Sequence, residues 1–133
     1  MNTDFQQDII NTFIQDWTKC QLCFISELNI FNGNVIIKGY VQSKNNKKIW
    51  PDFSQKFLKI EIEFLNVKSI KLNLNGEIIY QISGFNIIDL SKNGLENINY
   101  EIEDYESDSL HFYCQSINIL KLEQVNFDGE IDF

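Results

Sequence analysis

The sequence has no alanine and no arginine, and only one proline, one histidine and three cysteines in 133 residues. Arginine grips phosphate and carboxylate groups in two places at once, so a nucleotide site would have to rely on lysine alone. A single histidine limits general acid–base schemes. The chain also lacks a G-x-S-x-G motif and a glycine-rich phosphate loop. These absences predict a protein that is not an enzyme and does not bind nucleic acid.

Long apolar segments are missing as well. No run is apolar for long enough to cross a membrane. The start, "MNTDFQQD", has two acidic residues and no basic residue, unlike a signal peptide. An odd number of cysteines suits a reducing compartment better than a disulfide scaffold. We therefore expect a cytoplasmic protein with no membrane partner.

What the sequence does contain is apolar residues and an uneven charge. A hydrophobic fraction of 44% over 133 residues predicts one domain with a real core, spanning residues 1–133. The net charge is −8, and residues 93–133 carry ten acidic residues and one lysine. This asymmetry favours a basic partner over a polyanion. The alternative is that the acidic residues only keep a small protein soluble.

The first segment has helical periodicity. Thr3 followed by Gln6 has the form of a capping box, and the spacing predicts a helix over about residues 4–18. An apolar stripe of this kind usually covers a sheet. Its members are Phe5, Ile9, Ile10, Phe13, Ile14 and Trp17.

From about residue 20 the apolar period changes to two, which indicates strands. A two-residue Asn32-Gly33 turn predicts a hairpin in which both strands keep one apolar face. The predicted pairs are Leu28 with Ile37 and Ile30 with Val35.

A second hairpin is predicted in "SIKLNLNGEIIYQI". A three-residue loop ending at Gly76 would pair Ile70 with Tyr80. Further on, the apolar positions change parity after Cys114, which predicts a bulge near Gln115. Taken together, the pattern predicts an α+β fold with an N-terminal helix packed on a curved antiparallel β-meander of about seven to eight strands.

Four residues have metal-ligand chemistry: Cys20, Cys23, His111 and Cys114. In a strand, however, residues three apart point to opposite faces. If "LHFYC" is a regular strand, Cys114 points to the core and His111 points away from it. We therefore predict buried thiols and neither metal nor cofactor, with a zinc site as the alternative.

The segment "INYEIEDYESDSLHFYCQSINIL", residues 98–120, predicts a hairpin with an acidic turn. With its "HFYCQSI" strand, it resembles the C-terminal part of small bacterial immunity proteins from polymorphic-toxin systems. The resemblance implies a small cytoplasmic protein that binds one cognate toxin and blocks it without catalysis.

An acidic hairpin would speed the encounter with a basic toxin and help to select it. The alternative is that the acidic residues keep the hairpin soluble and protect its edge from pairing. The candidate partner-binding residues are Glu101, Glu103, Asp104, Glu106 and Asp108.

Two other functions remain open at this stage. A helix behind a curved meander could enclose an apolar pocket, as in small lipid-binding or ligand-binding barrels and cones. A structural interaction domain is the third possibility. In each case we expect a monomer or a homodimer.

Overall fold

The computed structural model describes residues 20–43, 51–54, 57–74, 80–82 and 84–125. Nine strands and one short 3₁₀ turn, Ser91–Asn93, make up nearly all of this part of the chain. The strands are β1 Cys20–Phe31, β2 Asn34–Ser43, β3 Phe57–Leu65, β4 Lys68–Leu72, β5 Tyr80–Gln81, β6 Phe85–Asp89, β7 Tyr100–Asp104, β8 Leu110–Cys114 and β9 Ser116–Val125.

The strands form two antiparallel sheets. One has five strands in the order β5-β1-β2-β3-β9, and the other has four in the order β4-β8-β7-β6. The predicted α+β class and the single curved meander are therefore wrong, because the described residues form an all-β structure of two sheets. The helix predicted over residues 4–18 lies outside the described residues.

The chain changes sheets between β8 and β9, and this explains the parity change in the sequence. β8 ends at Cys114 in the four-stranded sheet, and β9 begins at Ser116 in the five-stranded sheet. Cys114 and Ile117 are both buried in the same core, although they belong to different sheets. The predicted bulge at Gln115 is thus wrong, because the shift of apolar positions marks a crossing between sheets.

The first hairpin agrees with the prediction. Asn32 and Gly33 have φ angles of 50° and 79°, the left-handed geometry that a two-residue hairpin turn requires. Leu28 pairs with Ile37 and Ile30 pairs with Val35.

The second predicted hairpin is wrong. Tyr80 is on β5 in the five-stranded sheet, where it pairs with Ile25, whereas Ile70 is on β4 in the four-stranded sheet. β4 pairs instead with β8, where Lys71 lies opposite His111. Periodicity predicted that both segments of the second hairpin are strands, but it does not specify which sheet each strand joins.

The core lies between the two sheets and draws on both of them. The rings of Phe64 on β3 and Phe112 on β8 meet edge to face, with 5.2 Å between their centroids and 79° between their planes. Both side chains are fully buried. The other large side chains that are fully buried in this cluster are Leu22, Val35, Ile37, Ile60, Ile62, Ile82, Phe85, Ile102 and Leu110.

Replacing Phe112 with alanine tests this contact between the sheets. We expect Phe112→Ala to lower the free energy of unfolding by about 3–5 kcal/mol, because the cavity would sit between two sheets that cannot collapse onto it. Phe31→Ala is the control, since that ring is 65% exposed. Urea denaturation measures both variants, and equal losses would contradict the assignment of Phe112 to the core.

Candidate protein-binding site

The outer face of the four-stranded sheet carries polar side chains in two rows. In the first row, Glu103 lies between Asn86 on β6 and His111 on β8. In the second, Glu101 lies between Ile88 and Tyr113. Successive residues of a strand point to opposite faces, so these side chains point outward because their neighbours Ile102 and Phe112 are buried. Glu101 and Glu103 therefore share one side of β7.

Glu101 already has a partner on this face. Its Oε2 atom lies 2.7 Å from His111 Nε2, and the two side chains are 23% and 26% exposed. The His111 ring also meets the Tyr113 ring edge to face, with 5.1 Å between centroids. The Glu101 carboxylate is therefore hydrogen-bonded within the sheet. Glu103 has no such side-chain contact among the described residues.

Asp104 occupies a different environment from the other predicted acidic residues. It is only 2% exposed, because it has the parity of Ile102 and points inward at the end of β7. Its carboxylate accepts hydrogen bonds from four groups in the next five residues. The donors are the backbone N–H groups of Glu106 (3.2 Å), Ser107 (3.3 Å) and Ser109 (3.4 Å), and the hydroxyl of Ser109 (2.6 Å).

These bonds shape the turn between β7 and β8. The backbone N–H of Asp108 also donates to the Asp104 carbonyl, at 2.9 Å. Asp108 has a φ of 54°, a left-handed conformation that aspartate tolerates better than most residues. The Asp104 carboxylate thus organises the backbone that carries Glu106 and Asp108, and both of those residues are exposed.

Gly84 holds the turn against the rest of the sheet. Its carbonyl accepts a hydrogen bond from the Tyr105 N–H at 2.9 Å. A Cβ atom on Gly84 would lie 2.7 Å from the Glu106 nitrogen and 2.7 Å from the Tyr105 ring, so only glycine permits this approach.

Tyr105 is a further candidate residue that the sequence analysis did not name. Its ring remains 53% exposed between the buried Asp104 and the exposed Glu106. Exposed tyrosines are common anchors of protein interfaces. An aromatic residue in the middle of a charged turn was the signal available in the sequence.

The outer face of the five-stranded sheet differs in its charge balance. Glu27, Lys38, Glu61 and Lys121 follow one another across β1, β2, β3 and β9. Lys38 Nζ lies 3.3 Å from Glu27 and 4.0 Å from Glu61. Hydrogen bonds from Asn29 and Lys38 lower the pKa of Glu27. Opposite charges thus offset one another on this face, whereas Glu106 and Asp108 on the acidic turn have no basic residue paired with them among the described residues.

The cysteines and His111 do not come together as ligands. Cys114 is buried in the core, while His111 is on the outer face, as alternation predicted. Cys23 is also buried, and its thiol donates to the Tyr40 carbonyl at 3.2 Å. The side chain of Cys20 lies outside the described residues. Within the described part, no three histidine, cysteine, aspartate or glutamate side chains are grouped to hold a metal.

The buried Cys114 thiol should be chemically inert in the folded protein. Burial raises its pKa to about 12, so the reactive thiolate is scarce near neutral pH. We expect iodoacetamide to label Cys114 only after unfolding in urea, as read by mass spectrometry of its peptide. Rapid labelling of the native protein near neutral pH would show that the thiol is accessible.

Removal of the Asp104 carboxylate should loosen the acidic turn. We expect Asp104→Ala to lower the free energy of unfolding by about 2 kcal/mol, because buried donors lose a charged acceptor. Glu106→Ala is the matched control on the same turn and should change the free energy of unfolding by less than about 0.5 kcal/mol. Thermal and urea denaturation give both values. Equal effects would mean that Asp104 does not organise the turn.

Comparisons with known proteins agree with the hairpin resemblance and extend it. The model of the family described as Immunity protein PIM8 matches residues 6–119, which is most of the chain. No curated protein and no solved structure matches. Among the described residues, no helix is long and apolar enough to span a membrane. The match over residues 6–119 shows that the chain belongs to the immunity protein PIM8 family.

Proposed function

We propose that this protein is a non-catalytic immunity protein that acts in the cytoplasm. It binds a basic cognate toxin through an acidic surface and blocks the toxin by occupying it. The observation that carries the proposal is the family match over residues 6–119. The exposed acidic turn beside β7 supports the choice of surface.

The five acidic residues predicted from the sequence have different roles in this proposal. Glu103, Glu106 and Asp108 supply the charge that the toxin meets. Glu101 is hydrogen-bonded to His111 at 2.7 Å, so its carboxylate is less available to the toxin. Asp104 is buried and acts by positioning the turn, because its carboxylate is occupied by four internal donors.

The charge distribution favours fast association with a basic protein. Ten of the 19 acidic residues lie in residues 93–133. A concentration of like charge raises the rate of encounter with an oppositely charged partner, and salt reduces the effect. The exposed Tyr105 ring, in the middle of the turn, would supply the desolvated contact that charge alone provides poorly.

A non-catalytic role also fits the chemistry of the site. His111 and Glu101 are the groups best suited to proton transfer, but they lie on the outer face of a sheet and line neither of the two described grooves. Occlusion by binding needs no reacting group on the immunity protein.

The ligand-binding alternative has less support. Its apolar pocket was expected between a helix and a sheet, and that helix lies outside the described residues. The space between the two sheets is occupied by closely packed side chains such as Phe64 and Phe112. The two described grooves, of about 400 and 90 Å³, are lined mostly by polar and charged residues, unlike an apolar ligand pocket.

The experiment begins with purification of the protein from its own host at low salt. Native mass spectrometry of the purified protein should show the chain together with a larger basic protein. That protein is then expressed as the toxin for growth and binding assays. Co-expression of this chain should restore growth that the toxin alone arrests. Failure to protect cells from the co-purified protein would contradict the immunity function.

The acidic surface is then tested with two variants that each remove three negative charges. The test variant combines Glu103→Gln, Glu106→Gln and Asp108→Asn. The control combines Glu63→Gln, Glu96→Gln and Glu123→Gln, which lie elsewhere on the molecule. We expect the test variant to slow association at low salt by roughly tenfold and the control by less than about twofold.

Stopped-flow measurements at increasing salt complete the test, since screening should narrow the difference between the two variants. Circular dichroism checks that both are folded. If both triple variants slow association equally, net charge is responsible and the acidic surface is not the binding site. If the test variant associates slowly but still protects growth normally, the acidic surface is not needed for the immunity function.

A further inference from the structure

The outer face of the four-stranded sheet carries a different kind of side chain on each strand. Its two rows continue to β4, where Lys71 lies opposite His111 and Lys68 lies opposite Tyr113. Residues that pair directly across neighbouring strands share a face of the sheet. The face is therefore divided into four bands. They are a neutral band of Asn86 and Ile88 on β6, an acidic band of Glu101 and Glu103 on β7, an aromatic band of His111 and Tyr113 on β8, and a basic band of Lys68 and Lys71 on β4.

A bulge in β4 puts both lysines on this face. In a regular strand, residues three apart point to opposite faces, so Lys68 and Lys71 would be separated. The pairing with β8 shifts between the two lysines, because their partners on β8 are only two residues apart. Ser69, within this shift, has a φ of 56°, a left-handed conformation that serine rarely adopts. The irregular backbone of β4 thus turns both lysines outward.

Both lysines are available to a partner. Each is exposed, and neither makes an ion pair with the described residues. The acidic band on β7 is two strands away from β4, which corresponds to about 10 Å at the usual spacing of strands. The basic and acidic bands therefore do not neutralise each other.

The acidic band is continuous with the acidic turn. Glu103 is the last outward residue of β7 before the turn that carries Glu106 and Asp108. A stable protein interface buries roughly 800 Å² on each partner, and a single turn cannot supply that area. A protein that binds the acidic turn therefore needs a neighbouring surface, and the outer face of β7 adjoins the turn directly.

The aromatic band lies where the centre of such an interface would be. The rings of His111 and Tyr113 meet edge to face, with 5.1 Å between their centroids. They stand on β8, between the acidic and the basic band. Aromatic side chains surrounded by polar groups are the usual arrangement at the centre of a protein interface.

We propose that the toxin binds across this whole face, and not only at the acidic turn. This inference rests on the proposed immunity function and adds the chemistry of the toxin's surface. The toxin has a basic region that meets Glu103 and the acidic turn, and an acidic region about 10 Å away that pairs with Lys68 and Lys71. A second copy of this chain is a poorer occupant, because two chains of net charge −8 repel each other.

Charge reversal of the two lysines tests the basic band. Lys68→Glu combined with Lys71→Glu makes the chain more negative, so attraction by net charge alone would strengthen its binding to a basic toxin. We expect the opposite, a rise of roughly tenfold in the Kd for the co-purified protein, because two glutamates would face acidic groups. The variant keeps charged side chains on the edge strand, so the protection of that edge against pairing is retained.

The matched control combines Lys59→Glu with Lys121→Glu, on the outer face of the other sheet. It makes the same change in net charge and should leave the Kd within about twofold or lower it, because it acts on the toxin only through net charge. Isothermal titration calorimetry measures the Kd of the original chain and both variants, and circular dichroism checks their folding. If the Lys68, Lys71 variant binds as tightly as this control, the inference is wrong, even where growth protection is normal.

Cross-linking of the native complex tests the same contact without a variant. A water-soluble carbodiimide joins a lysine amine to a carboxylate that it touches, and mass spectrometry of the digested complex identifies the two residues. We expect Lys68 or Lys71 to be joined to an aspartate or glutamate of the toxin. Links from the toxin's carboxylates to Lys59 or Lys121 instead would place the toxin on the other sheet and overturn the inference.

Two further outcomes separate this inference from the alternatives. If the original chain binds the co-purified protein without restoring growth, the immunity function fails, but weaker binding by the Lys68, Lys71 variant would still support this face as the binding surface. Concentration-dependent dimerisation of the original chain, abolished in the same variant, would overturn the inference in favour of self-association.

Discussion

Most strands of this fold bury one of their faces between the two sheets, and the contact between Phe64 and Phe112 lies where the sheets meet. Because both sheets use the same core, the chain can move from one sheet to the other whenever a strand ends. It does so four times, after β3, β4, β5 and β8. The crossings after β3 and β8 place Asn66 and Gln115 at the same end of the two sheets, where the Gln115 amide accepts a hydrogen bond from Asn66 Nδ2 and donates one to Asn97 Oδ1.

The acidic turn depends on a single buried carboxylate. Asp104 lies at the last position of β7, where strand alternation turns it inward, and it accepts the hydrogen bonds that an exposed turn would otherwise make to water. Gly84 then lets the turn pack closely on its neighbour. The charges at Glu106 and Asp108 are therefore carried by a defined backbone, which in the proposed complex lowers the entropy cost of binding.

Local signals in the sequence predicted local structure well. The Asn32-Gly33 turn fixes its own register, and the alternation of residues 98–114 gave the β7–β8 hairpin with Cys114 inside and His111 outside. The choice of sheet was not predictable in this way. Tyr80 pairs with Ile25, more than 50 residues earlier in the chain, and nothing in its own segment specifies that partner. The α+β class was predicted from the helical periodicity of residues 4–18, whereas the described residues form strands in two sheets.

The predictions for the candidate site divide in the same way, into features that depend on local sequence and features that depend on contacts between distant segments. Glu101 and Glu103 were placed on one face because period two is a local rule. Extending the same rule from Ile102 to Asp104 would have placed that carboxylate inward, so the signal was present although its role was missed. The partnership of Glu101 with His111 required the register between β7 and β8 as well. The hydrogen bonds of Gln115 with Asn66, Asn97 and Asn99 required three separate segments to meet, and no single stretch of sequence contains that information.

The burial of Asp104 separates the residue that builds the turn from the residues that face outward on it. The Glu106 side chain makes no hydrogen bond or ion pair with the described residues, so a change at this position alters the surface while its backbone bond to Asp104 stays the same. If the turn contacts the toxin as proposed, specificity can diverge by substitution at Glu106, without each step being limited by the loss of folding stability.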